Sequence, residues 1–434
     1  MKKNHYIYQV LSLFAFCALV GCANHKEVRF ETPQNETKEA EQRALEVFCK
    51  LAKRQVSSAL RSSDIEKLGE SDVYISNFAG GGFLLYGVDP TEEVHVYGFS
   101  DSGKLNSSDT IATPILKTVL DNSIAIQNNT NIIINDSLGL IGGGGYNPTY
   151  PPLEPVEYPI RIVRRIEHEA IYPYSPSTLP YGQKSPFNDY VNYKNLGCAN
   201  TALAAFLSHY RVPNKVTVGA NVTPIDWTKL WSGNSYELNG WRSSLTEDLA
   251  HQVAEMCKYI FFSNPRVWII PEDEGTAVFP KRVREFLEKI NFEVDYRTYK
   301  ENELLSYLRK NNRPVLMYGE ASFFNRHYWV IDGYLEFHVD NEHKVKWSEE
   351  SDWEIERYEK DVEITRLVHC NWGWNAYCNG YFFSTIFDSE RGTYPDSDYH
   401  PMSSNKGGDY RKNAKAFYVN PDGRQLLMEW YMEK

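Results

Sequence analysis

A run of glycines and prolines between two better patterned stretches limits what this chain can fold into. Residues 142–145 are consecutive glycines, and four prolines follow within the next ten residues. Glycine destabilises helices and strands because its backbone is conformationally free, and proline lacks the N–H that a helix or a central strand requires. We therefore interpret residues 141–165 as a linker and activation region between two domains. Exposed chain of this kind is also a preferred site of proteolysis.

The 434 residues have room for two or three domains. Before the linker, apolar spacing predicts a helix over 38–61, strands at 73–75, 82–86 and 94–97, and a further helix over 115–126. These elements predict a small α+β prodomain at residues 36–140. After the linker, residues 166–434 show helices first and strands later. The predicted helices are 199–210, 281–290 and 303–310, and the predicted strands are 314–318, 328–331, 364–369, 380–383 and 416–419. This order also favours an α+β fold.

The first residues have the features of an export signal. Lys2 and Lys3 precede a short apolar run that ends in Leu-Val-Gly-Cys at residues 19–22. This ending resembles a bacterial lipobox, which predicts a lipoprotein signal peptide at residues 1–21, an acylated Cys22 and a polar tether at 22–35. An ordinary signal peptide is the alternative. We expect an exported bacterial lipoprotein, facing the periplasm or the cell surface at the outer membrane, or released after processing. The lipid would be its only contact with the membrane.

Charge and cysteine content narrow the possible partners. The formal net charge is −11, and no basic stripe is present that would follow a phosphate backbone, so nucleic acid is not an expected partner. Five cysteines follow Cys22, an odd number that leaves at least one thiol free in an exported protein. No group of cysteines and histidines has zinc spacing, and we expect no metal or organic cofactor. Cys370 and Cys378 flank a possible hairpin, where they either pair or remain free.

Cys198 is the first candidate for chemistry. It follows Gly197 at the start of a predicted helix, where the helix dipole and the exposed N–H groups lower the pKa of a thiol. Such a thiolate is a nucleophile, and Gly197 would let another chain approach it. A buried structural cysteine on an alanine-rich helix explains the same residues.

His327 opens a predicted strand, where a rigid sheet would hold a base with its imidazole at the rim. A hydrogen-bonded surface histidine is the alternative. Five residues further on, Asp332 precedes Gly333, and we interpret it as a turn residue.

Asn371 and Trp372 end another predicted strand. An asparagine amide can orient an imidazole, and a tryptophan can shield that hydrogen bond from water. Two core tryptophans beside a glycine turn are the alternative. Ahead of Cys198, the amide of Gln183 could donate to an oxyanion beside the Cys198 N–H.

Taken together, glutamine, cysteine, histidine and asparagine-tryptophan stand in the chain order of papain-like peptidases. The surrounding residues resemble the streptopain-like cysteine peptidase family. The segments that carry the resemblance are 181–188, 196–204, 313–334, 371–374 and 379–382, and residues 73–86 are similar to the prodomain of the family.

The resemblance implies a papain-like peptidase domain, with a helical part and an antiparallel sheet, behind an inhibitory prodomain. Cys198 would be the nucleophile and His327 the acid/base. Gln183 would help to form the oxyanion hole, and Asn371 or Trp372 would support His327. The substrate would be a protein or peptide, and the chain's own prodomain would block the cleft until it is cut away.

Several residues depart from the family pattern. Asn325 and Arg326 replace the usual glycines before the histidine, Asn200 stands where alanine is usual, and Asn375 replaces a glycine. Because all proposed catalytic residue types are present, we predict an active endopeptidase with altered specificity. A catalytically inactive surface binding protein and an acyltransferase are the alternatives.

Overall fold

A computed structural model describes part of the chain, and this part divides into two compact units. The described residues are 34–52, 62–69, 71–88, 94–107, 120, 123, 160–167, 171–232, 241, 244–264, 268–269, 276–322, 325–346, 352–384, 414–421 and 426–432. The first unit is Met1–Glu39 and the second is Ala40–Lys434. The signal peptide, Cys22, the tether up to residue 33, most of the predicted helix 115–126 and the linker up to residue 159 lie outside the described residues.

The helices and strands follow in chain order. The helices are α1 Gln34–Leu51, α2 Cys198–Tyr210, α3 Trp227–Ser232, α4 Glu247–Ser263, α5 Pro280–Lys289 and α6 Glu301–Asn311. The strands are β1 Ser62–Lys67, β2 Val73–Phe78, β3 Phe83–Val88, β4 Val94–Ser100, β5 Ile160–Glu167, β6 Ile171–Tyr174, β7 Lys215–Val218, β8 Asn221–Pro224, β9 Trp268–Ile269, β10 Thr276–Ala277, β11 Phe292–Thr298, β12 Val315–Ser322, β13 Asn325–Lys346, β14 Glu354–Asn371, β15 Gly380–Phe383, β16 Lys415–Pro421 and β17 Glu429–Met432. None of the described helices has the length and apolarity to cross a membrane.

One twelve-stranded sheet dominates the described structure, in the order β1-β2-β3-β4-β15-β14-β13-β12-β16-β11. Strands β5 and β6 pair with β13 away from this path. Every pairing within this sheet is antiparallel, and the predicted α+β class is confirmed. Strand β4 of the predicted prodomain pairs with β15, where Phe99 lies opposite Tyr381 and Gly98 opposite Phe382. The prodomain strands therefore continue the sheet of the predicted peptidase domain.

The sheet has a different core on each face. Helices α2, α4 and α5 cover one face, and their apolar residues pack with Tyr328 and Val330 of β13. The other face holds Trp329, Ile331 and Trp372. Side chains alternate between the faces of a strand. This alternation decides the environment of each functional residue on β13.

The last residues of the predicted linker belong to a strand. Strand β5 starts at Ile160, six residues ahead of the predicted domain boundary at 166. It pairs with β13 from Val339 to Lys346, in the long hairpin that β13 forms with β14. Isoleucines alternate with arginine at the start of β5 (Ile-Arg-Ile at 160–162), a pattern typical of a strand.

Candidate active site

Cys198 is the first residue of α2. The N-cap residue Gly197 has φ 90°, and no side chain caps the N–H groups of the first turn. A φ of this kind favours glycine, which explains the residue before the nucleophile. The Cys198 Sγ lies 3.9 Å from the carbonyl oxygen of Arg326 in β13. The candidate nucleophile therefore faces the strand that carries His327.

Gln183 lies beside this turn. Its carbonyl oxygen accepts a hydrogen bond of 2.8 Å from the Leu196 N–H, two residues before Cys198. On the other side, the Asn375 N–H donates to the Tyr181 carbonyl oxygen at 2.9 Å. The Gln183 side chain is half-buried. This location suits a residue whose amide would assist the Cys198 N–H at an oxyanion.

His327 lies among aromatic rings. Its ring centroid is 6.3 Å from that of Trp329 and 6.5 Å from that of Trp372. The residue is 4% exposed, and its Nε2 has no hydrogen-bond partner among the described residues. The prediction of an imidazole at the rim is therefore wrong in this state. Strand alternation places His327 on the side of Trp329, away from the core beneath α2.

Burial sets the charge state of both groups. It raises the pKa of the Cys198 thiol, against the opposing effect of the Tyr328 and Ala199 N–H groups. It lowers the pKa of His327 to about 4, against the Trp372 carbonyl. At neutral pH the pair is thus a thiol and a neutral imidazole, and no hydrogen bond joins these two described side chains. The reactive thiolate is therefore not the favoured form in this structure.

The part of the chain that holds these candidate residues matches the model of a known family. The Peptidase C10 family model matches residues 181–382, which include Gln183, Cys198, His327, Asn371 and Trp372. Residues 181–382 are therefore similar to the C10 peptidases, and we call this matched segment the C10 domain. The streptopain-like resemblance predicted from the sequence is thereby confirmed.

Solved structures that match include a fragment of prointerpain A from Prevotella intermedia. It is 18% identical, covers 82% of this chain and 98% of its own chain, and superposes with a TM-score of 0.45. No curated protein matches the chain significantly.

Asn371 of the C10 domain has partners other than His327. Its Nδ2 donates to Thr178 Oγ1 and to the Leu179 carbonyl oxygen, each at 3.0 Å. Its Oδ1 accepts from the Gly373 N–H and from Asn379 Nδ2, each at 3.2 Å. The predicted orienting bond to His327 is absent between these two described side chains. Neighbouring residues at a strand end face opposite ways, so Trp372 flanks His327 and Asn371 does not.

Asp332 is not a turn residue, and this interpretation was wrong. It is fully buried within β13 at a register shift between Ile331 and Gly333. Its carboxylate accepts from the Thr178 N–H at 2.9 Å and from the Thr178 hydroxyl, and it contacts His369 Nδ1 at 2.5 Å. A shift of this kind redirects a side chain. Asp332 thus anchors the segment that precedes Gln183, a role that only its place among apolar strand residues could have indicated.

Two of the departures from the family pattern have a local explanation. The Arg326 guanidinium lies 4.6 Å from the centre of the Phe279 ring. Its side chain is therefore directed at Phe279, while its carbonyl oxygen lies near Cys198 Sγ. Asn375 has φ 56°, a conformation that asparagine tolerates better than most residues, which explains how it replaces a glycine. The Asn325 side chain lies outside the described residues.

The possible disulfide between Cys370 and Cys378 is not formed. Cys378 Sγ instead donates to the Lys104 carbonyl oxygen at 3.4 Å, which ties the loop after Trp372 to the prodomain segment. Asn106 Nδ2 also donates to the Tyr377 hydroxyl in this loop at 3.0 Å. Lys104 and Asn106 of the predicted prodomain therefore contact the loop that follows Trp372.

Proposed function

We propose that the chain is the exported, lipid-anchored zymogen of a cysteine endopeptidase. The C10 domain supports the class of enzyme. One observation carries the assignment of the nucleophile. The Cys198 Sγ lies at the uncapped N-terminus of α2, 3.9 Å from the backbone of the residue before His327. An uncapped helix start stabilises a thiolate and supplies N–H donors for an oxyanion.

The reaction follows from these positions. His327 takes the thiol proton, and the Cys198 sulfur attacks the carbonyl carbon of a peptide bond. The Cys198 N–H and the Gln183 amide stabilise the oxyanion. His327 then protonates the leaving amine as the C–N bond breaks, which leaves a thioester. Water adds to the thioester, and its cleavage releases the acid and restores the thiol.

Inhibition by the prodomain is part of the same proposal. Its support is the pairing of β4 with β15 and the contacts of Lys104 and Asn106 with the loop behind Trp372. These contacts hold β15 and the loop that follows Trp372, whose ring flanks His327. Proteolysis in the segment between β4 and β5 would release the prodomain and let water reach the imidazole. The resulting rise in the pKa of His327 would favour the reactive ion pair.

Labelling of thiols tests the nucleophile. The processed protein is treated with an epoxysuccinyl peptide inhibitor, and the modified residue is found by peptide mass spectrometry. We expect label at Cys198 and hydrolysis of casein, both lost in Cys198→Ala. Cys257→Ala is the matched control and keeps both, because Cys257 is fully buried.

The outcomes separate the rival functions. Casein binding without label or hydrolysis would contradict the proposal and favour an inactive binding protein. Products carrying an added amine would indicate acyl transfer.

The lipid anchor has its own test. Cys22→Ala is expected to abolish incorporation of labelled palmitate into the full chain, since the thiol that would be acylated is lost. Cys17→Ala keeps the label, because Cys17 lies within the predicted signal peptide. A Cys22→Ala chain that still incorporates palmitate would contradict acylation at this cysteine.

A further inference from the structure

We infer that Asn200 and Asn264 are positioning residues for the oxyanion hole of the C10 domain. The inference rests on the proposed peptidase function and adds to it a device built from two side chains. Asn200 stands two residues after the nucleophile, in the first turn of α2.

The link is a relay of two buried amides. Asn200 Nδ2 donates to the Leu196 carbonyl oxygen at 2.9 Å. Asn264 Nδ2 donates to Asn200 Oδ1 at 3.3 Å. Both asparagines are fully buried, where a hydrogen bond has no competition from water. The hydrogen bond from Asn264 thus fixes the orientation of the Asn200 side chain.

The relay ends at Leu196, which lies between the two proposed oxyanion donors, the Gln183 amide and the Cys198 N–H. The Leu196 N–H donates to the Gln183 carbonyl oxygen at 2.8 Å, while the Leu196 carbonyl oxygen accepts from Asn200. Hydrogen bonds therefore fix both the N–H and the carbonyl oxygen of Leu196. Only Gly197 separates it from the Cys198 N–H, and glycine by itself leaves the direction of the next peptide open. Holding Leu196 fixes where this N–H points relative to Gln183.

Asn264 connects this turn to a second rigid element. It is the C-cap residue of α4, and its own N–H donates to the Ile260 carbonyl oxygen at 3.0 Å. The position of the oxyanion hole is thus set by α4 as well as by α2. Thr201 contributes a parallel contact, because its hydroxyl donates to the Gly197 carbonyl oxygen at 3.0 Å. Loss of the relay should therefore displace the oxyanion donors without removing them.

The expected effect follows from this distinction. Removal of an oxyanion donor lowers kcat by about 10² to 10³. Displacement of donors that remain present should lower kcat by less, roughly tenfold. KM should change little, because the relay lies behind the turn and does not face a bound peptide.

The experiment compares Asn200→Ala and Asn264→Ala in protein that is produced as the full chain and then processed. Peptide hydrolysis reports kcat and KM, and the rate of alkylation by iodoacetamide at several pH values reports the Cys198 thiolate. Alkylation forms no oxyanion, so we expect a roughly tenfold lower kcat in both variants with an unchanged alkylation rate and pH profile. Gln252→Ala is the matched control. Gln252 is a buried amide in α4, with partners at Asp226 and Asp248, and its loss should lower stability and leave kcat unchanged.

Each outcome decides the inference. A kcat that both variants retain overturns it, as does an alkylation rate that falls in step with kcat, since the relay would then act on the thiol. If Asn200→Ala does not fold, Asn264→Ala decides, because it keeps the bond to Leu196 and removes only its support. A wild-type protein without turnover or label at Cys198 overturns the proposed function instead.

Discussion

The two halves of the candidate site are held by different kinds of contact. On the nucleophile side, hydrogen bonds fix the turn before Cys198, through Gln183 and Asn200 on the two sides of Leu196. On the histidine side, the rings of Trp329 and Trp372 surround His327, and its Nε2 has no partner among the described residues. Polar contacts specify direction, whereas the aromatic packing excludes water and keeps the base neutral.

The halves also differ in their relation to the prodomain. Trp372 packs against Phe382 with ring centroids 5.6 Å apart, and Phe382 lies 6.1 Å from Phe83 of the prodomain strand β3. A continuous series of rings thus connects the prodomain to His327. The contacts that fix the Cys198 turn all come from residues of the C10 domain. Under the proposed zymogen mechanism, the nucleophile side is already complete before activation, and activation has to change the histidine side.

The substitution with the largest expected effect on this difference is His327→Ala. Loss of the general acid and base should lower kcat of the processed enzyme by about 10² to 10⁴. The Cys198 turn should stay intact, so the variant should fold and keep the melting temperature of the wild type within a few degrees. Tyr318→Phe, which removes a hydroxyl on the neighbouring strand β12, is the control and should keep full activity. A His327→Ala enzyme with more than a tenth of wild-type kcat would assign the base to another residue.

The buried imidazole also predicts how stability depends on pH. The pKa of His327 is about 4 in the folded chain, against 6.5 for an exposed histidine. Between these values the unfolded chain binds a proton and the folded chain does not. The free energy of unfolding should therefore be highest above pH 6.5 and fall by about 3 kcal/mol from this residue as the pH drops to about 4.

Denaturant unfolding of the full chain at a series of pH values measures this loss. His327→Gln should remove about 3 kcal/mol of the pH dependence, and the comparison with wild type cancels the contributions of other groups. His338, whose pKa is raised by its bond to Asp361, acts with the opposite sign, so His338→Gln should steepen the loss toward low pH. Equal pH dependence in wild type and His327→Gln would mean that the imidazole is solvated.

The parts of the site that the sequence predicts are those that depend on local pattern. A glycine before a run of small apolar residues is sufficient to place Cys198 at the start of α2. The order of Gln183, Cys198 and His327 indicates the chemistry. The alternation in β13 makes Trp329 a neighbour of His327, although we assigned it no role. These relations span a few residues each, or belong to motifs that resemble a known family.

The missed parts depend on contacts between distant residues. Thr178 meets Asp332 and Asn371 although 154 and 193 residues separate them along the chain. Helix α4 contributes Asn264 to the turn before Cys198, and no spacing in the sequence connects these elements. The burial of His327 likewise depends on how β14 pairs with β13. A single sequence contains the residue types for such contacts but does not pair them.

Gly98→Ala tests the prodomain side of the comparison. A methyl group added at Gly98 would lie 2.9 Å from Cδ1 of Phe382 and 2.9 Å from the Tyr381 carbonyl oxygen, which is too close. Relief of this clash should weaken the β4–β15 pairing by about 1–3 kcal/mol. We expect the inhibitor to label Cys198 of the full-length chain roughly tenfold faster. Ile65→Ala, an exposed residue on the outer strand β1, is the control and should not change the rate. Labelling of Gly98→Ala at the wild-type rate would show that the histidine side does not depend on this pairing.

The smallest expected effect concerns the loop behind Trp372. Ala376 has φ 67°, a left-handed conformation that costs a residue with a Cβ roughly 1–2 kcal/mol. Ala376→Gly should therefore raise the free energy of unfolding of the full chain by about 1 kcal/mol. Asn375→Gly is the matched control and should gain only a few tenths, because asparagine tolerates this region. A stabilised Ala376→Gly chain would mean that the histidine side contains strain that the hydrogen-bonded nucleophile side lacks. A destabilised Ala376→Gly chain would mean that the loop behind Trp372 is as free of backbone strain as the Cys198 turn. The two halves of the site would then differ only in the charge states of their groups.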